Sequence, residues 1–399
     1  MFAPFSHPVY VMAKPVGAKC NLRCRYCYYL EKDAMYPSHF FLHKHISDAL
    51  LDEFIRQYIE CQSQREIMFI WHGGEPLLLG VDFYKKVIRL QHQYKGAHVI
   101  DNCIQTNATL IDEDWCKFLA DNHWLVGVSI DGPEHIHNEY RKYVGGMGSF
   151  TQVMRGIELL NRYNVDWNVL ATVNNITARN AVECYDFLTN LGTQFLQFTP
   201  VVERMSADGM LVCSDECASD VTSFSVTPAD WGSFTCQIFD RWASGDVGKV
   251  FVRLIEDTLA NWCGVPPGTC ALAESCGYNV AMEWNGDVFS CDHFTFPQHR
   301  IGNINEKTLT ELIYGEKQSE FRQRKHQCLP HQCRQCKWLK ICNGECPRNR
   351  FVQNGNDFPM NYLCEGYRKF FAHVEPYMNL MKRYISEDRT IPEALNLEL

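Results

Sequence analysis

Hydrophobic positions in the first half of the chain recur as short runs. "VYVMAK" (9–14), "EIMFIWHGGEP" (66–76), "HVIDNCIQTN" (98–107), "WLVGVSIDGP" (124–133), "DWNVLATVNN" (166–175) and "TQFLQFTPVV" (193–202) are rich in β-branched or aromatic residues. Each ends in a polar or glycine-containing turn, which is the mark of a strand. Between them, residues 46–60, 81–93, 111–121, 149–163 and 178–190 place apolar side chains at helical spacing. Six strands alternating with helices predict an α/β fold whose parallel sheet is buried on both faces. The pattern alone fits either an open doubly wound sheet or a barrel.

Polar residues gather where these runs end. "AKCNLRCRYCYYLEK" (18–32) follows the first and spaces Cys20, Cys24 and Cys27 as C-x3-C-x2-C. Gly73, Gly74 and Glu75 follow the second, Asn107 ends the third, and Ser129 and Asp131 end the fourth. In α/β barrels the reactive groups collect at the C-terminal strand ends. This rim therefore suits a ligand made of several small polar parts.

Composition narrows the function classes. At 399 residues and 46% hydrophobic, the chain can bury a sizeable core, as one large barrel plus a smaller unit or as two to three domains. A formal charge of −9 argues against a nucleic-acid binder, which needs a basic patch. The start, "MFAPFSHPVYVMAKP", does not read as a signal peptide, and no 18-residue apolar run occurs. The expected location is the cytoplasm. There thiols stay reduced, so the 20 cysteines point to metal ligation or catalysis where they cluster.

Eleven cysteines fall in two groups. Cys61, Cys103, Cys116, Cys184, Cys213, Cys217, Cys236, Cys263 and Cys328 read as ordinary buried small residues, with the Cys213/Cys217 pair nearest to an exception. Cys20, Cys24 and Cys27 leave one position of a four-ligand site open. They fit three irons of a four-iron cluster with the fourth iron free, or a zinc site completed by a histidine such as His72.

C-x3-C-x2-C with an aromatic before the last cysteine resembles the signature of the radical S-adenosylmethionine (SAM) enzymes, over about residues 8–205. The resemblance implies a partial (β/α)6 barrel, a [4Fe-4S] cluster on the three cysteines, and SAM on the free iron. In that family one electron cleaves SAM to a 5′-deoxyadenosyl radical. "GGEP" (73–76) is similar to the family's second motif, which assigns Gly73, Gly74 and Glu75 to SAM; glycine there lets the backbone approach a ligand. Ser129 and Arg141 match positions that hold the ribose and the methionine carboxylate, and Tyr26 and Leu196 match adenine contacts. By spacing alone, Arg141 reads equally well as a solvated helix charge.

The second group, "CALAESCGYNVAMEWNGDVFSCD" (270–292) and "CRQCKWLKICNGEC" (333–346) with Cys364, holds eight thiols. Asn285-Gly286 predicts a two-residue hairpin turn that returns Cys291 towards Cys276. Eight thiolates suffice for two fully ligated clusters, or for a pair of four-cysteine zinc sites. The arrangement resembles the SPASM extension of peptide-modifying radical SAM enzymes. That resemblance assigns Cys270, Cys276, Cys291 and Cys346 to one auxiliary [4Fe-4S] cluster and Cys333, Cys336, Cys342 and Cys364 to the other. The domains implied are 1–205 (barrel), 206–262 (helical connection), 263–374 (SPASM) and 375–399 (C-terminal helix or tail).

Within this class "AKPVGAKCNLRCRYCYYLEK", "WHGGEPLLLG", "QTNATLID", "SIDGPEHIHNEYR" and "CDHF" resemble the anaerobic sulfatase-maturating enzymes over nearly the whole chain. The resemblance implies oxidation of a cysteine or serine, in a sulfatase segment approximating Cys/Ser-x-Pro/Ala-x-Arg, to Cα-formylglycine. It also implies an electron donor such as flavodoxin or ferredoxin. Asp292, next to Cys291, matches the family's proposed general base. An anionic neighbour and partial burial are expected to raise its pKa, although by residue statistics it is a turn residue. His137, His293 and His331 read as surface or supporting residues. "FRQRKHQ" (321–327) reads as a solvated helix face, or as a dock for an acidic substrate segment. The alternatives are a SPASM enzyme that crosslinks a ribosomal peptide and, in another class, a non-catalytic zinc-binding scaffold.

Overall fold

The computed structural model describes residues 4–30, 32, 45–206, 211–212 and 221–395. The chain forms two compact units built from interleaved stretches, one of residues 1–129, 140–167 and 277–322 and the other of the remainder.

In the first unit the expected strands form as Tyr10–Lys14, Glu66–Trp71, Val99–Thr106 and Leu125–Ser129, each parallel to the next. The intervening helices include Asp48–Cys61, Gly80–Tyr94 and Glu113–Asp121. Ser47 and Asp112 cap two of them, each accepting a hydrogen bond from the third residue on. The sheet face carries Phe69 and Trp71, which pack with Phe54, Tyr58 and Tyr84 in edge-on contacts.

One strand of this sheet comes from far along the chain. Asn279–Glu283 lies parallel to Tyr10–Lys14 in continuous register, with Lys14 opposite Glu283. Its hairpin partner Asp287–Phe289 pairs antiparallel, and Arg300–Asn303 extends the edge. The connection is three residues, Trp284 to Gly286, where two were expected. Gly286 donates to the Glu283 carbonyl (2.9 Å) and adopts φ +87°, so a type I turn is followed by a left-handed glycine.

The second unit holds the parallel strands Trp167–Val173, Phe195–Pro200 and Phe251–Val252. Its helices Pro228–Ala243 and Cys364–Ser386 pack closely. Their backbones approach where a Cβ on Gly232 would lie 2.9 Å from the Gly366 Cα. Cys364–Ser386 is one 23-residue helix. No helix among the described residues is long and apolar enough to cross a membrane.

Candidate functional site

The cysteine loop follows the strand Tyr10–Lys14 and is held by its backbone. Arg23 N donates to the Lys142 carbonyl (2.7 Å) and Arg25 N to the Tyr140 carbonyl (3.2 Å). Gly74 N donates to Gly17 (2.7 Å) and Glu75 N to Lys19 (2.9 Å). A Cβ on Gly74 would lie 2.0 Å from the Lys19 carbonyl oxygen. Glycine is thus required at 74 by the loop carrying Cys20, before any ligand is considered.

Glu75 is fully buried and accepts from Leu77 N (3.0 Å), Thr106 Oγ1 (2.7 Å) and Asn107 N (2.8 Å). Its carboxylate is committed to protein donors and ties the turn to the end of the next strand. Burial pushes its pKa up to about 7 against those hydrogen bonds. Asn107 in turn points its amide at Cys20 Sγ (3.7 Å), which also accepts from Leu22 N (3.3 Å). Burial, with Glu75 next, pushes the Cys20 thiol up to about 12. An isolated thiolate is costly here, whereas a bound iron centre supplies the missing positive charge.

Two expected SAM contacts meet at this loop. Arg141 is buried, and its guanidinium lies 5.6 Å from the Tyr26 ring centroid. That rules out the solvated-charge reading. Ser129 ends its strand with Oγ accepting from Gln105 Nε2 (3.0 Å). Leu196 belongs to the second unit, buried on the strand Phe195–Pro200 opposite Val169 and Val252.

A charged network unread in the sequence stands at the end of the first strand. Lys14, fully buried, ion-pairs with Asp292 and lies 3.5 Å above the Tyr29 ring. Tyr28 donates to Asp292 Oδ2 (2.5 Å), and Tyr29 donates to the buried Glu283. Burial alone would raise the Asp292 carboxyl, but Lys14, then His72 and His293, hold it well below the usual carboxylate range. This corrects the expectation of a raised pKa. Burial also lowers His72 to about 4, and its Nδ1 accepts from Gly73 N (2.7 Å). Lys14 and Glu283 were missed because a lone charge in an apolar run gives no sign of its partner. The register of Lys14 opposite Glu283 supplies that sign.

In the second unit Cys333, Cys336, Cys342 and Cys364 line one cavity of about 340 Å³, together with Trp338, Tyr367 and Phe371. Cys270, Cys276 and Cys346 lie close enough for each charge to act on Lys325. Lys325 is fully buried, so residues 321–327 are not simply a solvated face. His137 is likewise fully buried, accepting from Asp131 N (3.5 Å), rather than at the surface. His293 is half-buried with its ring edge-on to Tyr28 (5.8 Å), and His331 is exposed. Of the isolated cysteines, Cys61, Cys116, Cys184 and Cys236 are buried as expected. Cys103, Cys263 and Cys328 are half-buried, and Cys213 and Cys217 lie outside the described residues.

The radical SAM superfamily model matches residues 15–188, and the iron–sulfur cluster-binding SPASM model matches residues 270–337. A serine-type anaerobic sulfatase-maturating enzyme of Bacteroides thetaiotaomicron is 48% identical, over 96% of this chain and 93% of its own. The chain belongs to the anaerobic sulfatase-maturating enzymes. A cysteine-type member from Clostridium perfringens is 31% identical over 92% of this chain and 97% of its own. The solved structure of native anSMEcpe with bound AdoMet and Cp18Cys peptide superposes with a TM-score of 0.84 at 30% identity, covering 95% of this chain and 100% of that one. As a sulfatase-maturating enzyme the protein uses three [4Fe-4S] clusters and SAM. Its own donors fit two of them: a backbone-pinned loop with three thiols, and a cavity walled by four.

Proposed function

We propose that this enzyme matures a sulfatase by oxidising an active-site serine to Cα-formylglycine. Oxidation of a sulfatase cysteine or serine is the activity of its family. What supports the serine branch is identity, 48% to a serine-type enzyme against 31% to a cysteine-type one. The substrate is a polypeptide, here read as a Ser-x-Pro/Ala-x-Arg segment, and a low-potential flavodoxin or ferredoxin is the proposed electron donor.

In this reading Cys20, Cys24 and Cys27 hold the first cluster, with Tyr26, Gly73, Gly74, Ser129, Arg141 and Leu196 around SAM. Glu75 acts on SAM only indirectly, by fixing the Gly73–Gly74 turn. Cys270, Cys276, Cys291 and Cys346 hold one auxiliary cluster, and Cys333, Cys336, Cys342 and Cys364 the other. Bound together, the first cluster and SAM would supply the radical chemistry that takes a hydrogen atom from the substrate Cβ.

Asp292 accepts the substrate hydroxyl proton, and the one electron left on the substrate would pass to an auxiliary cluster, which completes the two-electron oxidation. Lys14 and Tyr28 keep Asp292 ionised and aimed, which makes it a weak base. That suffices, because a hydroxyl on a carbon radical is far more acidic than an alcohol. Tyr28 and Lys14 therefore fix the position and charge of the acceptor rather than its basicity.

The test is anaerobic incubation with SAM, a reductant and paired serine and cysteine peptides. Formylglycine from serine loses two hydrogens, as a crosslink would, so capture of the aldehyde by a hydrazide must accompany the mass measurement. An aldehyde from the serine peptide is expected; an aldehyde from cysteine alone refutes the serine assignment. A two-hydrogen loss without aldehyde favours crosslinking.

A further inference from the structure

The helix Glu316–Gln327 presents polar side chains to solvent along its last turns, with Gln323, Arg324, His326 and Gln327 exposed. Lys325 among them is 1% exposed. Burying an ammonium is costly unless a counter-charge and acceptors meet it. Two of its three protons go to the carbonyls of Cys270 (2.5 Å) and Ala271 (2.8 Å). No carboxylate among the described residues lies within ion-pair distance of it. The charges that act on it are Cys276, Cys346, Cys270 and Glu345, and Glu345 is already taken by Asn349 and Asn361.

A second cation braces this arrangement. Arg350 is buried and donates to four carbonyls: Lys325 (2.6 Å), Gly344 (2.9 Å), Asn343 (3.0 Å) and Glu345 (3.1 Å). Asn343, Gly344 and Glu345 are consecutive left-handed residues, with φ of 49°, 71° and 53°. Such a run is costly for non-glycine residues and persists only where the surroundings enforce it. It lies between Cys342 and Cys346, which belong to different auxiliary clusters in the assignment above. A Cβ on Gly344 would meet Arg350 Nη2 at 2.5 Å.

We propose that Lys325, braced by Arg350, is a positioning residue whose buried charge and remaining N–H set the potential of the auxiliary cluster assigned to Cys270, Cys276, Cys291 and Cys346. The inference rests on that ligand assignment. Positive charge and hydrogen bonds to sulfur favour the reduced form of a cluster. Lys325 thus makes that cluster a better electron acceptor than it would be without the buried charge.

The test uses the full chain with Cys20, Cys24 and Cys27 replaced by Ala and reconstituted anaerobically, so that only auxiliary clusters report. About eight irons per chain are expected; fewer would overturn the ligand assignment and this inference with it, before Lys325 is touched. In that background, EPR-monitored reductive titration of Lys325→Met should show one cluster with its one-electron equilibrium shifted at least tenfold towards the oxidised form. That corresponds to about 59 mV more negative. Lys325→Arg should restore most of the shift. Eight irons with unchanged potentials in Lys325→Met would overturn the proposal. So would an arginine variant as shifted as the methionine one, or iron loss in both variants. Iron loss in Lys325→Met that Lys325→Arg repairs without a shifted potential would mark a structural brace and overturn the proposal as well.

Discussion

The cysteine loop of the first unit and the cysteine cavity of the second solve different problems with the same ligand type. The loop offers three thiols and is shaped by backbone hydrogen bonds to residues 74, 75, 140 and 142. The cavity offers four, with Cys342 ending a short helix and Cys364 beginning a long one, and aromatic walls of Trp338, Tyr367 and Phe371. A site with three protein ligands keeps one iron open to exchange; a site with four closes it. The first arrangement suits chemistry on SAM, and the second suits storage or transfer of electrons.

The largest test of this contrast is removal of the loop thiols. Cys20, Cys24 and Cys27 replaced together by Ala should abolish SAM cleavage while iron falls from about 12 to about 8 per chain. Retained cleavage, measured as 5′-deoxyadenosine, would refute the loop as the reactive site. Cys342→Ala attacks the other region. It should release about four irons and lower Tm together, because cluster binding is coupled to folding. A variant with full iron and unchanged melting would remove Cys342 from the ligand set.

Asp292→Asn keeps shape but takes away the proton acceptor. Formylglycine should fall by ~10² to 10⁴ while deoxyadenosine still forms. Loss of the buried carboxylate also strands Lys14, at about 3–5 kcal/mol, so thermal unfolding should be followed beside both products. Parallel loss of both products together with iron would mark a structural aspartate instead.

Gly74→Ala forces a Cβ onto the Lys19 carbonyl. It should cost about 1–3 kcal/mol of stability and weaken SAM binding by displacing the loop, read by equilibrium dialysis of SAM. Unchanged binding would show that the loop does not depend on this contact. The smallest effect is a pH slope. Burial raises the Glu75 pKa from 4.5 to about 7, so its contribution to stability is full below 4.5 and is lost as pH rises through about 7. Glu75→Gln should flatten the denaturation midpoint across that window. An unaltered slope would mean that Glu75 does not titrate there.

The strands of the first half were legible because a parallel sheet buried on both faces imposes continuous apolar runs, as at Glu66–Trp71 and Trp167–Val173. The C-x3-C-x2-C spacing of Cys20, Cys24 and Cys27 was legible too, since it is a short local pattern. The protonation of Asp292 was not. It depends on Lys14 and His72, hundreds of residues away in sequence.

The sequence by itself determined the fold class, the family, the reaction and the residue types of the three cysteine sets. Only the tertiary structure decided what those residues touch. The strand Asn279–Glu283 had to pair with Tyr10–Lys14 before Lys14 could meet Asp292, or Tyr29 meet Glu283. Likewise Lys325 reads as one more solvated cation until its helix is packed and its ammonium is turned inward on Cys270 and Ala271. Periodicity and spacing are local properties, written in consecutive residues. Burial and electrostatic pairing arise between distant segments, and exist only once the chain has closed on itself.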